Sequence, residues 1–87
     1  VHVYPNPSLD GNVTLGFDVK TDENIGVKIF SADGRLVYTD EIFCPADSHT
    51  ALPVRLDEAT AAAGYYILQV TSSTAILRQR IVVMRNH

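Results

Sequence analysis

The chain has 87 residues, 46% of them hydrophobic and 20% charged, with a formal net charge of −3. This length gives a single domain, residues 1–87, with one thin core covering about 60–65% of the unfolded surface and no room for a deep cleft, and the composition excludes wholesale disorder. The acidic balance excludes nucleic acid or an anionic membrane as the main partner, since both require a basic face.

The first stretch, Val3-Tyr4-Pro5-Asn6-Pro7, holds two of the four prolines. Proline fixes its φ and removes a backbone donor, so this run is expected at an edge, a bend or an entry point. The reading is that Pro5 and Pro7 bracket the point where an upstream linker becomes the first short edge strand. Asn6 is expected to turn the chain through its side chain.

"NVTLGFDV" then alternates Val13, Leu15, Phe17 and Val19 with polar or small residues, the period of a half-buried strand. After the polar turn "TDEN", "IGVKIFS" puts Ile25, Val27 and Ile29 on one face with Lys28 and Phe30 on the other. Asp33-Gly34 between apolar runs is a hairpin signal, with "RLVYTDEIF" as the returning strand.

"CPADSH" reads as a loop, and "TALPVRLD" as a short strand that Pro53 marks as an edge or bulge. "EATAAAG", Glu58 to Gly64, has helix character but is too short to stand alone, so a turn over one end of the sheets is expected. "YYILQVT" and "AILRQRIVVM", separated by serines, are spaced as a second hairpin. About seven strands at short intervals, without a βαβ pattern, predict an all-β fold: an immunoglobulin-like antiparallel β-sandwich.

Charge is divided unevenly along the chain. Residues 1–58 carry ten acids and four bases, whereas residues 59–87 carry Arg78, Arg80 and Arg85 and no acid. Any anion-seeking surface is therefore C-terminal. The single cysteine, Cys44, excludes an internal disulfide and a cysteine-based zinc site. No stretch approaches the about 20 apolar residues of a membrane span, so no membrane insertion is expected. Because Val1 opens directly on a strand-like run, the chain reads as the end of a longer protein, with residues 1–7 near a linker junction.

Few residues suggest chemistry. Asp47, Ser48 and His49 include the residue types of a hydrolase triad, but sequence neighbours in a loop do not supply a base from a separate element. His2, His49 and His87 lack partners at metal-ligand spacing. Asp22-Glu23 and Asp40-Glu41 lack the looped oxygen set of a calcium site and read as solvated strand ends. Tyr65 and Tyr66 point to opposite faces, one to the core and one to solvent. Arg78 and Arg80 share a face of the last strand, either guarding an edge or meeting an acidic partner. No convergent polar set marks an enzyme, and no cofactor is called for.

Taken in order, Tyr4-Pro5-Asn6-Pro7, Gly11, the hairpin Asp33-Gly34-Arg35-Leu36-Val37, the strand Gly64-Tyr65-Tyr66-Ile67-Leu68, and a last strand with Arg78, Arg80, Ile81 and Val83 resemble a known pattern. The chain is similar over nearly its whole length to the type A C-terminal sorting domain of the type IX secretion system. It departs in having Ala61-Ala62-Ala63 where a Leu-Pro usually precedes the glycine.

The resemblance implies a signal module rather than a catalyst. Such a domain directs an attached cargo, secreted or held at the cell surface, through the periplasm and outer membrane. Its partners are the type IX translocon and an outer-membrane shuttle protein, with a sortase-like cysteine peptidase cutting upstream. The resemblance makes Tyr4, Pro5, Asn6, Pro7, Gly11, Asp33, Gly34, Gly64 and Tyr66 structural motif residues. We take Arg78, Arg80, Ile81 and Val83 as the strand read by the translocon, added to a partner's sheet by edge pairing. Free strand edges would also allow dimers. The competing reading is an immunoglobulin-like accessory module binding carbohydrate or protein beside a larger enzyme; it requires an exposed aromatic row or a polar groove.

Overall fold

Alternating apolar residues organise the chain into two packed antiparallel sheets. The computed structural model describes residues 2–4, 6, 8, 10–56, 63–73 and 75–84. Its strands are β1 (His2–Tyr4), β2 (Asn12–Val19), β3 (Glu23–Ser31), β4 (Leu36–Cys44), β5 (Ser48–Arg55), β6 (Gly64–Thr71) and β7 (Ile76–Val83). One sheet has the order β1-β2-β5 and the other β4-β3-β6-β7. This is the immunoglobulin-like arrangement of strands A, B and E against C′, C, F and G.

The core lies between the sheets, where β2, β3 and β6 contribute alternate residues. Val13, Leu15 and Phe17 of β2 face Ile25, Val27 and Ile29 of β3 and Leu68 and Val70 of β6, all buried. Tyr66 is buried and Tyr65 exposed, so the pair does straddle the sheet. Asp33-Gly34 closes the β3–β4 hairpin. Gly34 takes a φ of +88°, and its N–H donates to the Ser31 carbonyl at 2.9 Å. The Ser31 hydroxyl also bonds Asp33 and accepts from the Arg35 N–H at 3.1 Å. Pro53 lies in β5, the outer strand of the smaller sheet, where a missing donor disrupts no central ladder.

Two local expectations change. β5 starts at Ser48, inside the stretch expected as loop. The turn from β4 needs only Pro45 to Asp47, because Asp47 adopts a left-handed φ of 55°, the Ser48 hydroxyl donates to the Pro45 carbonyl, and the Ala46 N–H donates to Asp22 Oδ1 at 2.7 Å. The second change concerns the N-terminus: the first strand precedes the prolines rather than following them. Tyr4 pairs with Thr14 in the smaller sheet, whereas Ser8 bridges Val83 in the larger one, so between these residues the chain passes from one layer to the other. Pro5 and Pro7 themselves, the Glu58–Ala62 portion of the expected turn, Arg85 and His87 lie outside the described residues.

Candidate recognition surface

β7 is an edge strand, and its two faces have different fates. Ile81 and Val83 point inward and are 0% and 1% exposed, so in the folded domain they pack the core and are not displayed. Arg78 and Arg80 point outward and are exposed. Strand register then assembles the face around them. One row across the sheet runs Leu36, Phe30, Ile67, Arg80, and the next runs Thr39, Lys28, Gln69, Arg78.

The cations are held by neighbours on β6. The Arg78 Nε–H donates to Gln69 Oε1 at 3.2 Å, directly across the ladder. The Arg80 guanidinium lies 5.1 Å from the centroid of the Tyr65 ring, a cation–π contact that leaves its charge unneutralised. On the outward-facing strand positions of the larger sheet, the one carboxylate among the described residues is Glu41, in the row beyond Lys28. Glu41 stands on β4, at the far edge of the sheet from β7, so the face is basic toward β7. Lys28 also belongs to this surface. It is not among the sequence-predicted site residues, although its place between the core residues Val27 and Ile29 in "IGVKIF" already sets it on the outer face.

The free edge of β7 is partly occupied. Asn6 Nδ2 donates to the Arg80 carbonyl at 3.1 Å, and Asn6 Oδ1 accepts from the Val82 N–H at 3.0 Å. A carboxamide thus does the work of one residue of a paired strand. Ser8 continues it: its N–H donates to the Val82 carbonyl at 2.8 Å, and its carbonyl accepts from the Met84 N–H at 2.7 Å. Asn6 therefore clamps the last strand, a role different from the local turn expected of it.

A buried knot supports the clamp. The Ser8 hydroxyl, fully buried, donates to the Asn12 carbonyl at 2.9 Å and accepts from the Gly11 N–H at 3.0 Å. Gly11 takes a φ of +86°, which accounts for glycine here, and its carbonyl accepts from the Leu56 N–H at 2.8 Å. Asp10 accepts from the Asn12 N–H at 2.9 Å and from Asn12 Nδ2 at 3.1 Å. These bonds, the backbone one foremost, hold the Asp10 carboxyl below the usual carboxylate range.

Among the described residues, the other polar groups do not converge into a site. His49 bonds Asp18 at 2.7 Å on the outer face of the smaller sheet, and this bond lowers the Asp18 pKa. Ser48 is engaged with Pro45, so it forms no triad with them. Asp22 and Glu23 are engaged in tying loops together, Glu23 accepting from the Ser73 hydroxyl at 2.9 Å. No cluster of three or more metal-ligating side chains occurs among the described residues. Tyr4 stands on the smaller sheet, while Phe43 and Tyr65 stand at opposite ends of the larger one, so these exposed aromatics form no row for stacking a sugar.

A family model described as the secretion system C-terminal sorting domain matches residues 2–84. No curated protein matches the chain.

Proposed function

The chain belongs to the type IX secretion system C-terminal sorting domain family, and from that premise we propose that its folded module is read on the outer face of the larger sheet, with Arg78 and Arg80 as the principal contacts. The family makes the chain a sorting signal of a secreted or cell-surface protein that works with the type IX machinery. In our reading the outer-membrane translocon and its shuttle protein recognise the face, and a sortase-like cysteine peptidase then cuts upstream of the domain. The observation supporting this is the pair of exposed arginines on an edge strand, held in place by Gln69 and Tyr65 and not neutralised by an acid in their own rows.

The expected partner surface is acidic. Charge complementarity at such a face sets orientation and encounter rate more than raw affinity. The test fuses the domain to a fluorescent reporter exported to the periplasm of a type IX-competent cell and compares it with the Arg78→Glu/Arg80→Glu variant. Both side chains are exposed, and the contacts they lose amount to about 1 kcal/mol at most each, so the variant folds. Export of the wild-type fusion with retention of the variant is the expected result; equal secretion of both would refute the arginine contacts, and periplasmic retention of both would refute the sorting reading for this module.

A further inference from the structure

One end of the larger sheet's outer face is apolar, where the solvated face of an antiparallel sheet is ordinarily polar. Phe30, Ile67 and Val82 stand on the opposite side of β3, β6 and β7 from the core residues Ile29, Leu68 and Ile81, and all three are half-buried. Leu36 and Tyr65, their partners in the register, are 46% and 48% exposed. Two adjacent rows, Leu36-Phe30-Ile67 and Tyr65-Val82, thus form one continuous patch at the end of the sheet that holds the β3–β4 hairpin. The next row, Thr39-Lys28-Gln69-Arg78, is polar throughout and bounds it. Exposed apolar surface rimmed by polar residues in this way marks an interaction site.

The charge along these two rows identifies what fits. It is a single cation, Arg80, at the β7 end, and its guanidinium is held 5.1 Å from the centroid of the Tyr65 ring. A fixed positive charge therefore borders the patch on one side only. We infer that this patch is the centre of the contact through which the secretion machinery reads the domain, and that its partner is a protein surface with apolar side chains over Phe30 and Ile67 and a carboxylate beside Arg80. Burial of Leu36, Phe30, Ile67 and Tyr65 supplies the affinity. The carboxylate facing Arg80 sets which way round the partner lies, since charge complementarity contributes orientation more than affinity. This contact rests on the arginine-face reading and adds the apolar half that the arginines alone do not specify.

Export of the full-length protein from a type IX-competent cell tests it, with thermal unfolding of each purified variant showing that it is folded. Leu36→Ser/Ile67→Thr makes the patch polar and leaves Arg78, Arg80 and Tyr65 in place. Leu36→Ser alone, at a half-exposed position, serves where the pair unfolds. Phe43→Ser is the control: Phe43 is 57% exposed on β4 but pairs with Asn24, beyond the polar row and outside the patch. Export of Leu36→Ser/Ile67→Thr should fall on the order of tenfold, with Leu36→Ser intermediate and Phe43→Ser equal to the wild type. Wild-type export of the folded patch variants, with Arg78→Glu/Arg80→Glu retained in the periplasm, would overturn the apolar contact and leave the arginine reading standing. Retention of the patch variants with normal export of Arg78→Glu/Arg80→Glu would overturn the carboxylate beside Arg80 and the arginine reading with it. A loss in Phe43→Ser as large as that in the patch variants would overturn the placement of the contact at this end of the sheet.

Discussion

Replacing Asn6 by alanine should cost the domain about 1 kcal/mol, although the residue is exposed. The substitution removes two bonds to the β7 backbone, at 3.1 Å to the Arg80 carbonyl and 3.0 Å from the Val82 N–H. A buried pair of this kind would be worth about 1 kcal/mol per bond or more. Here water can replace the carboxamide, so the lower end applies, about 0.5 kcal/mol each. For a domain of this size that total lowers Tm by about 4–8 °C. The assay is thermal unfolding followed by circular dichroism, together with amide exchange at Val82, whose donor the substitution exposes to solvent. A Tm within about 1 °C of the wild type, with unchanged exchange at Val82, would refute the clamp.

Three further outcomes follow from local geometry. Gly34→Ala should destabilise by about 1 kcal/mol in urea unfolding: at a φ of +88° a Cβ meets no atom within 4 Å, so only backbone strain acts. Ile81→Ala should cost about 2–5 kcal/mol in the same assay, a large part of the about 5–15 kcal/mol available to a small domain, because the side chain is fully buried. Asp10→Asn should show a pH signature. The carboxyl pKa is lowered in the folded state, chiefly by the Asn12 N–H, so its contribution is present above the ordinary aspartate value of about 4 and is lost as pH falls through the lower folded value. Denaturation curves of wild type and variant should therefore differ at neutral pH and converge in strong acid.

What is legible in the sequence follows the range of the forces involved. Alternation in "NVTLGFDV" and "IGVKIF" is local, and it assigns the core faces of β2 and β3 correctly because a strand has a period of two. Asp33-Gly34 locates its hairpin for the same reason: a positive φ is a property of one residue. Asn6 misleads because its chemistry is ambiguous locally. Asparagine often turns its own backbone, whereas here its partners are Arg80 and Val82, more than seventy residues away. Similarly, the apolar, strand-like character of Ile81 and Val83 is visible in sequence, but their burial depends on which face of β7 meets the smaller sheet. The period of two already sets them on the face opposite Arg78 and Arg80; the packing decides that theirs is the buried one.

The clamp also constrains how the last strand can meet a partner. Strand addition needs unpaired N–H and C=O groups along an edge, and on β7 the Arg80 carbonyl and both backbone groups of Val82 are already engaged by Asn6 and Ser8. Backbone pairing along the whole strand is thus blocked in the folded domain, and the part left for it is the beginning, around Ile76 to Arg78. Recognition through outward side chains has no such restriction. The two routes predict different export phenotypes for Asn6→Ala, measured at a temperature where the variant remains folded. If the arginine face is read, export equals that of the wild type, while Arg78→Glu/Arg80→Glu abolishes it. If the edge is read by strand addition, freeing Arg80 and Val82 changes export in the variant that keeps both arginines, and side-chain reading is then insufficient.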